Sequence, residues 1–440
     1  MSTSVATRPP LRRAVGRVVG SGLLGAGTTP GRLLRVEAVL VLAALVLGVL
    51  GVLGGMSRVS AVHDARTRVA ALTTGAADLY QSLADADAMA TTGYVSGGLE
   101  PATSRARYDD DIERAGRLLT NAAGLLPAGD PAIAAVSTVG EQLPVYTGLV
   151  ENARALNRLG LPLGQAYLAS ASKLMQTRIL PAVEEVRTAE SATLAVTYAR
   201  AAALPFAVLA VGLAVFVALV DLALRERRRT NRVLNVGLTV AGLAVLACVA
   251  WWAVAAITAD ARIGGARAHT VAGAALDDAR IAVLQARSNE SLVLVARNSG
   301  GGSSDAAFSA HLDDVVNDSG LLTDAERADP QLADRVAALR GAATAWSAAH
   351  RDVRRLDDGG QYPQAVASVV GHGPDTSGGA FDALDTALDR TIGEERNAFA
   401  VDVEAAEGAL VALPWISAAL ALLAAGAVVI GIGRRVGEYR

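Results

Sequence analysis

Residues 36–55 read VEAVLVLAALVLGVLGVLGG, a run in which Glu37 is the only charged side chain. A helix of about 20 apolar residues covers a hydrocarbon core of about 30 Å, so this run predicts a transmembrane span. Comparable runs occupy 199–222, 233–257 and 410–433. They enclose two long polar segments, 56–198 and 258–409, while only 223–232 separates the second span from the third. Both long segments are therefore expected on one side of the bilayer.

Arginine indicates which side. Arg8, Arg12, Arg13, Arg17, Arg32 and Arg35 fill the leader 1–35; Arg225, Arg227, Arg228, Arg229 and Arg232 fill the loop 223–232; Arg434, Arg435 and Arg440 fill the tail 434–440. The positive-inside rule places all three in the cytoplasm, which predicts a multi-pass plasma-membrane protein with both termini inside. The long segments are acidic. The first holds 12 basic residues against 15 acidic ones, net −3, and the second 13 against 24, net −11. The lone Cys248 falls within a span, which excludes an intramolecular disulfide and a thiol metal centre.

Each long segment reads as four helices. Val69, Leu72, Ala76, Leu79, Leu83, Ala86 and Ala90 follow three-four spacing along a first helix that Gly97 and Gly98 end. Pro131 opens a third helix and Pro162 a fourth; in the second segment Pro330 and Pro363 take those places. Local sequence repeats as well. Ser96-Gly97-Gly98 matches Ser299-Gly300-Gly301, Gln165-Ala166 matches Gln364-Ala365, and Ala203-Leu204-Pro205-Phe206 matches Ala412-Leu413-Pro414-Trp415. The expectation is an all-α membrane protein with four spans and two tandem extracytoplasmic four-helix bundles arising by internal duplication.

Catalytic signatures are missing from the sequence. His63, His269, His311, His350 and His372 are scattered without metal-ligand spacing, and no phosphate loop or nucleophile elbow occurs. No enzymatic activity, cofactor, metal or nucleic acid is expected. Asp109-Asp110-Asp111 and Asp313-Asp314 read as solvated faces of second helices. Gly- and Ala-rich spans favour tight helix contact or a homodimer, with membrane lipid around them.

The motifs from Gly160 to Ala166 and from Gly360 to Ala365 resemble the sensory bundles of bacterial chemoreceptors and sensor kinases. More narrowly, Tyr80 to Ala90, then Gly97-Gly98-Leu99-Glu100-Pro101 and Arg105-Ala106-Arg107-Tyr108, is similar to actinobacterial four-span proteins associated with a glutamine-binding lipoprotein and protein kinase G. That resemblance implies a relay of extracellular amino-acid status from a solute-binding lipoprotein to a cytoplasmic Ser/Thr kinase. An accessory subunit of a transporter or channel, or a structural envelope protein, is the alternative.

Aligning the repeats sets Asp87 against Glu290, with Asp85 and Asn289 beside them and Arg105 and Arg297 near the far end. These six are the candidate partner or ligand contacts. Pro205 and Pro414 are candidate hinges where a return helix enters the bilayer. Arg225, Arg227, Arg228, Arg229 and Arg232 set topology first and offer a docking surface second.

Overall fold

The computed structural model describes residues 29–64, 67, 70–97, 100–189, 196, 205–230, 235–296 and 301–438. All regular structure among them is helical. In chain order the helices are α1 (Thr29–Asp64), α2 (Ala70–Val95), α3 (Ala102–Leu125), α4 (Ala132–Arg158), α5 (Leu163–Leu174), α6 (Phe206–Thr230) and α7 (Val236–Ala296). Next come α8 (Gly301–Val316), α9 (Leu321–Ala328), α10 (Ala333–Asp358), α11 (Tyr362–Val370), α12 (Ser377–Val411) and α13 (Leu413–Glu438). Two irregular turns accompany them, a π turn at Met175–Ile179 directly after α5 and a 3₁₀ turn at Pro330–Leu332 before α10.

The two third helices, α4 and α10, stop in the same way. Gly160 and Gly360 adopt φ of 68° and 75°. Leu161 N–H reaches Leu156 O at 3.0 Å, and Gln361 N–H reaches Leu356 O at 2.8 Å. Those bonds, together with Gly160 to Asn157 and Gly360 to Asp357, form the paired closure that needs a left-handed residue after the helix.

The chain divides into two compact units, a span unit from 1–60, 202–260 and 407–440 and an interspan unit from 61–201 and 261–406. Arg35–Ala61, Phe206–Arg225 and parts of Val236–Ala296 and Ser377–Arg434 are long and apolar enough to cross a membrane. In the span unit, small residues let helices approach closely. A Cβ added at Gly48 would meet Ala421, at Gly51 Ser417, at Gly55 the Pro414 ring, and at Gly237 the backbone of Gly431. Trp252 Nε1 donates to Ser417 Oγ at 2.9 Å within this apolar surrounding.

Both hinge candidates lie at the starts of described helices. Pro205 immediately precedes α6, and its carbonyl accepts Leu209 N–H at 3.0 Å. Pro414 lies in the first turn of α13, two residues after the break at Ala412 that separates it from α12. A first-turn proline gives up an N–H that has no intrahelical acceptor, so no interior hydrogen bond is lost.

The interspan unit brings the two long segments together. One continuous apolar cluster includes Leu83, Tyr146, Met175 and Ile179 of the first and Leu276, Phe308, Trp346 and Phe381 of the second. A second, smaller cluster joins Val95 to Leu294, Val353, Ala365 and Val369. The segments expected as separate bundles thus share one core. Their first helices are covered on every side: residues 79–93 of α2 are all buried, as are those at 281–294 of α7 apart from half-buried Gln285 and Leu292.

Candidate functional site

The central helices α2 and α7 run parallel in register. Gln81 Nε2 donates to Asp277 Oδ1 at 2.8 Å, Ser288 Oγ to Asp87 Oδ2 at 3.0 Å, and Thr92 Oγ1 meets Ser291 Oγ at 2.9 Å. Partner numbers rise together, with separations of 196, 201 and 199 residues. Equivalent stretches of the two segments therefore lie side by side.

Asp87 is 3% exposed, and its carboxylate accepts Ser172 Oγ at 2.7 Å, Ser288 Oγ at 3.0 Å and Tyr146 OH at 3.3 Å. No cation reaches it among the described residues. Burial pushes its pKa up, against the opposing pull of those hydroxyl groups.

Glu290 is fully buried and differently held. Arg287 Nη1 lies 2.6 Å from one oxygen, His350 Nδ1 lies 3.1 Å from the other, and Ser377 Oγ donates there too. Burial opposes its charge, yet the His350 hydrogen bond and the Arg287 charge bring its pKa below the ordinary value. Burial likewise opposes protonation of His350, but bonds to Glu290 and Asp305 raise its pKa overall. The imidazole stacks on Phe308 with centroids 3.7 Å apart, and Arg287 lies over Phe381 at 5.0 Å.

The two sites have the same plan. Each acid stands on a central helix, receives a ring from the third helix (Tyr146 on α4, His350 on α10) and a serine from the fourth (Ser172 or Ser377). Both serines sit where the fourth helix loses regularity. Ser172 ends α5 just before the π turn, and Ser377 opens α12 after residues 371–376 break the helix. Such interruptions re-aim side chains and recur at functional sites.

A charge network ties the segments together. Arg107 bonds Asp85 at 2.6 Å and Asp385 at 2.8 Å; Arg280 bonds Asp385 at 2.8 Å, Asp389 at 2.5 Å and Gln81 at 3.2 Å. Arg396 bonds Asp78 at 2.7 Å and Asp277 at 3.3 Å. Asp111 faces Asp85, and Asp85 Oδ1 and Asp111 Oδ2 are buried with no other hydrogen-bond partner among the described residues, so a proton held between the two carboxyl groups would satisfy both. Burial, then the Asp85 charge, push Asp111 up to about 9, and burial raises Asp85 as well, so the pair holds a proton at neutral pH.

Asp85, Asp87, Asn289 and Glu290 are therefore interior residues and not exposed contacts. Asp111 is equally buried, contrary to a solvated face. For the residues of α2 and α7 the reason is common: their pairing covers flanks that a lone bundle would leave wet. Asn289 turns its amide to Gln285 O at 2.8 Å. Arg105 remains half in solvent, bonded to Asp109 at 3.1 Å and Glu151 at 3.2 Å. Arg225 pairs with Asp221 at 2.7 Å. Arg297 and Arg232 lie outside the described residues, as do the side chains of Arg227, Arg228 and Arg229.

Sequence reasoning missed Tyr146, Ser172, Ser288, Arg287, His350 and Ser377, and it took Arg105 where Arg107 makes the bridge. The scattered histidines also gain a cluster: His269, Asp329 and Glu395 converge. Ser377 donates to Glu290 and not to His350, so the nucleophile-to-base contact of a hydrolase is not formed there.

Residues 61–199 match the family described as Actinobacterial sensor domain. The match covers the first interspan segment, about a third of the chain. No curated protein and no solved structure matches. The family match supports a sensing or signalling role for a protein whose four apolar helices suit a membrane.

Proposed function

We propose that this chain is a non-enzymatic transmembrane signalling component in which two sensor halves, fused in one polypeptide, act as a permanent pair. Its interspan unit lies outside the plasma membrane, its termini inside. It relays extracellular amino-acid status from a solute-binding lipoprotein to a cytoplasmic partner such as a Ser/Thr kinase. The observation that carries this reading is the in-register contact of α2 with α7, lined by Gln81, Asp277, Asp87, Ser288, Thr92 and Ser291. Polar and ionic groups in such an interface specify register more than they add stability. A slip of one helix along the other breaks the bridges that Arg107 and Arg396 make between the segments, together with the Arg280 to Gln81 bond, which favours two discrete packings over a continuum.

A lipoprotein that binds one packing more tightly shifts the balance by its differential affinity. Pro205 and Pro414, at the starts of α6 and α13, are the junctions through which a displacement passes to the spans. The test is affinity purification from native membranes after chemical crosslinking, with and without amino acids in the medium. Recovery of a solute-binding lipoprotein and a kinase, in amounts that change with amino acids and lose that change in Arg107→Gln, is expected. Recovery of an ATP-hydrolysing permease in their place contradicts the relay and favours a transport accessory.

A further inference from the structure

The geometry points to a divalent-cation site formed by His269, Asp329 and Glu395 in the interspan unit. We propose that it takes a zinc-class ion. The residues come from three elements: α7, the turn between α9 and Pro330–Leu332, and α12. His269 Nδ1 lies 2.9 Å from Glu395 Oε2 and 3.5 Å from Asp329 Oδ2, and one ligand atom from each lies within 4.8 Å of the others. A tetrahedral zinc ion with bonds of about 2.0–2.1 Å spaces its ligands about 3.4 Å apart. The three atoms need only small side-chain adjustments to reach that spacing.

Charge makes a cation the better occupant. Asp329 is 6% exposed and Glu395 3%, and among the described residues no arginine or lysine pairs with either. Arg396, the neighbour of Glu395, turns to Asp78 and Asp277 instead. Asp329 Oδ1 is held by Gln331 N–H at 3.0 Å, which leaves Oδ2 to face the imidazole. A protonated His269 has one Nδ1–H to offer two carboxylates. A divalent ion neutralises both, and burying an uncompensated carboxylate is expensive.

The surroundings orient the ligand. His269 Nε2 is 4.0 Å from Asp402 Oδ2, and Arg262 holds the other oxygen of Asp402 at 3.2 Å. Gly265 leaves the space that Asp402 fills, because a Cβ there would collide with its carboxylate. At 4.0 Å the Asp402 contact with Nε2 is not a hydrogen bond, but a small side-chain shift would let the carboxylate accept from Nε2–H and favour the tautomer whose Nδ1 lone pair is free for the cation, the usual support for a metal-binding histidine. A cleft of about 90 Å³, lined by His269, Thr270, Asp277 and Glu395, gives access. Three protein ligands leave a fourth position for water or a solute. The nitrogen donor favours zinc over the oxygen-seeking calcium and magnesium ions. This inference does not depend on the relay.

The test uses the tag-free, detergent-purified full chain, stripped with a chelator and then titrated with Zn²⁺ by calorimetry and with Co²⁺ by visible absorption. One equivalent should bind, with a d–d band of low coordination for Co²⁺. Glu395→Gln and His269→Ala should lose that equivalent at unchanged helicity, and Asp402→Asn should weaken binding about 10–100-fold. If the substituted chains fail to fold, the wild-type titration decides alone. No saturable uptake by the wild type, or undiminished uptake by a folded Glu395→Gln, overturns the site.

Discussion

Asp87 and Glu290 hold matching places on the two central helices, yet one is surrounded by hydroxyl groups and the other by an arginine and a histidine. Burial dominates at Asp87 and pushes its pKa up; at Glu290 ionic partners overcome burial and bring it down. Two identical subunits facing across a two-fold axis must carry the same residues at both sites. Fusion in one chain lifts that constraint. On the proposed reading, the second half is an electrostatic lock and the first a site that hydroxyl groups hold more lightly.

The largest expected effect breaks the lock. Arg287→Met leaves the Glu290 charge buried with a weakened partner set and should destabilise the interspan unit by about 3–5 kcal/mol. Denaturant titration followed by circular dichroism measures this, and a loss below about 1 kcal/mol would remove the distinction between the two sites. The lock should also weaken as pH rises. The raised His350 pKa contributes stability that is complete below the ordinary histidine value and is lost as pH climbs through the folded one.

Asp111→Asn should act in the opposite sense. The folded chain keeps the Asp111 proton up to about pH 9, while the unfolded chain releases it near the ordinary value of 3.8. Stability from this group is therefore full below the unfolded value and is lost as pH rises towards the folded one. Asparagine can still donate to Asp85 and removes that loss. Its melting temperature should exceed that of the wild type at pH 8 and converge with it near pH 4; a pH-independent difference would show that Asp111 is ionised in the fold.

A smaller effect is expected at Asp87 itself. An amide of the same shape retains an acceptor for Tyr146 and the serines, so Asp87→Asn should change stability by no more than about 1 kcal/mol. Glu290→Gln, measured alongside, should cost clearly more, because His350 and Arg287 then lose their shared anion. Equal losses would mean that the hydroxyl cage binds its carboxylate as tightly as the ionic one. Arg105→Ala, at a half-exposed ion pair, should lie within about 0.5 kcal/mol of the wild type.

Much of the fold is legible because its causes are local. Apolar runs of span length, helix-opening prolines such as Pro131 and Pro330, and the closing glycines Gly160 and Gly360 act within a few residues of themselves. The local sequence matches between the two segments even point to Asp87 and Glu290. Their environments are another matter, since Tyr146 lies 59 residues from Asp87 and His350 60 from Glu290. The same holds for His269 and Glu395, separated by 126 residues and joined only once α7 and α12 are side by side. Burial of Asp85 was hidden for a related reason. A three-four stripe identifies one apolar face of α2, whereas contact with α7 covers the remaining faces too.

The pairing of α2 with α7 is tested most directly by a disulfide. Thr92 and Ser291 oxygens are 2.9 Å apart across that contact, so Thr92→Cys with Ser291→Cys should oxidise readily. With a protease site placed between Thr230 and Val236, the cut chain should remain one band on a non-reducing gel and fall into two on reduction. A cut chain that separates without reductant, or crosslinks only between molecules, would contradict the fused pair.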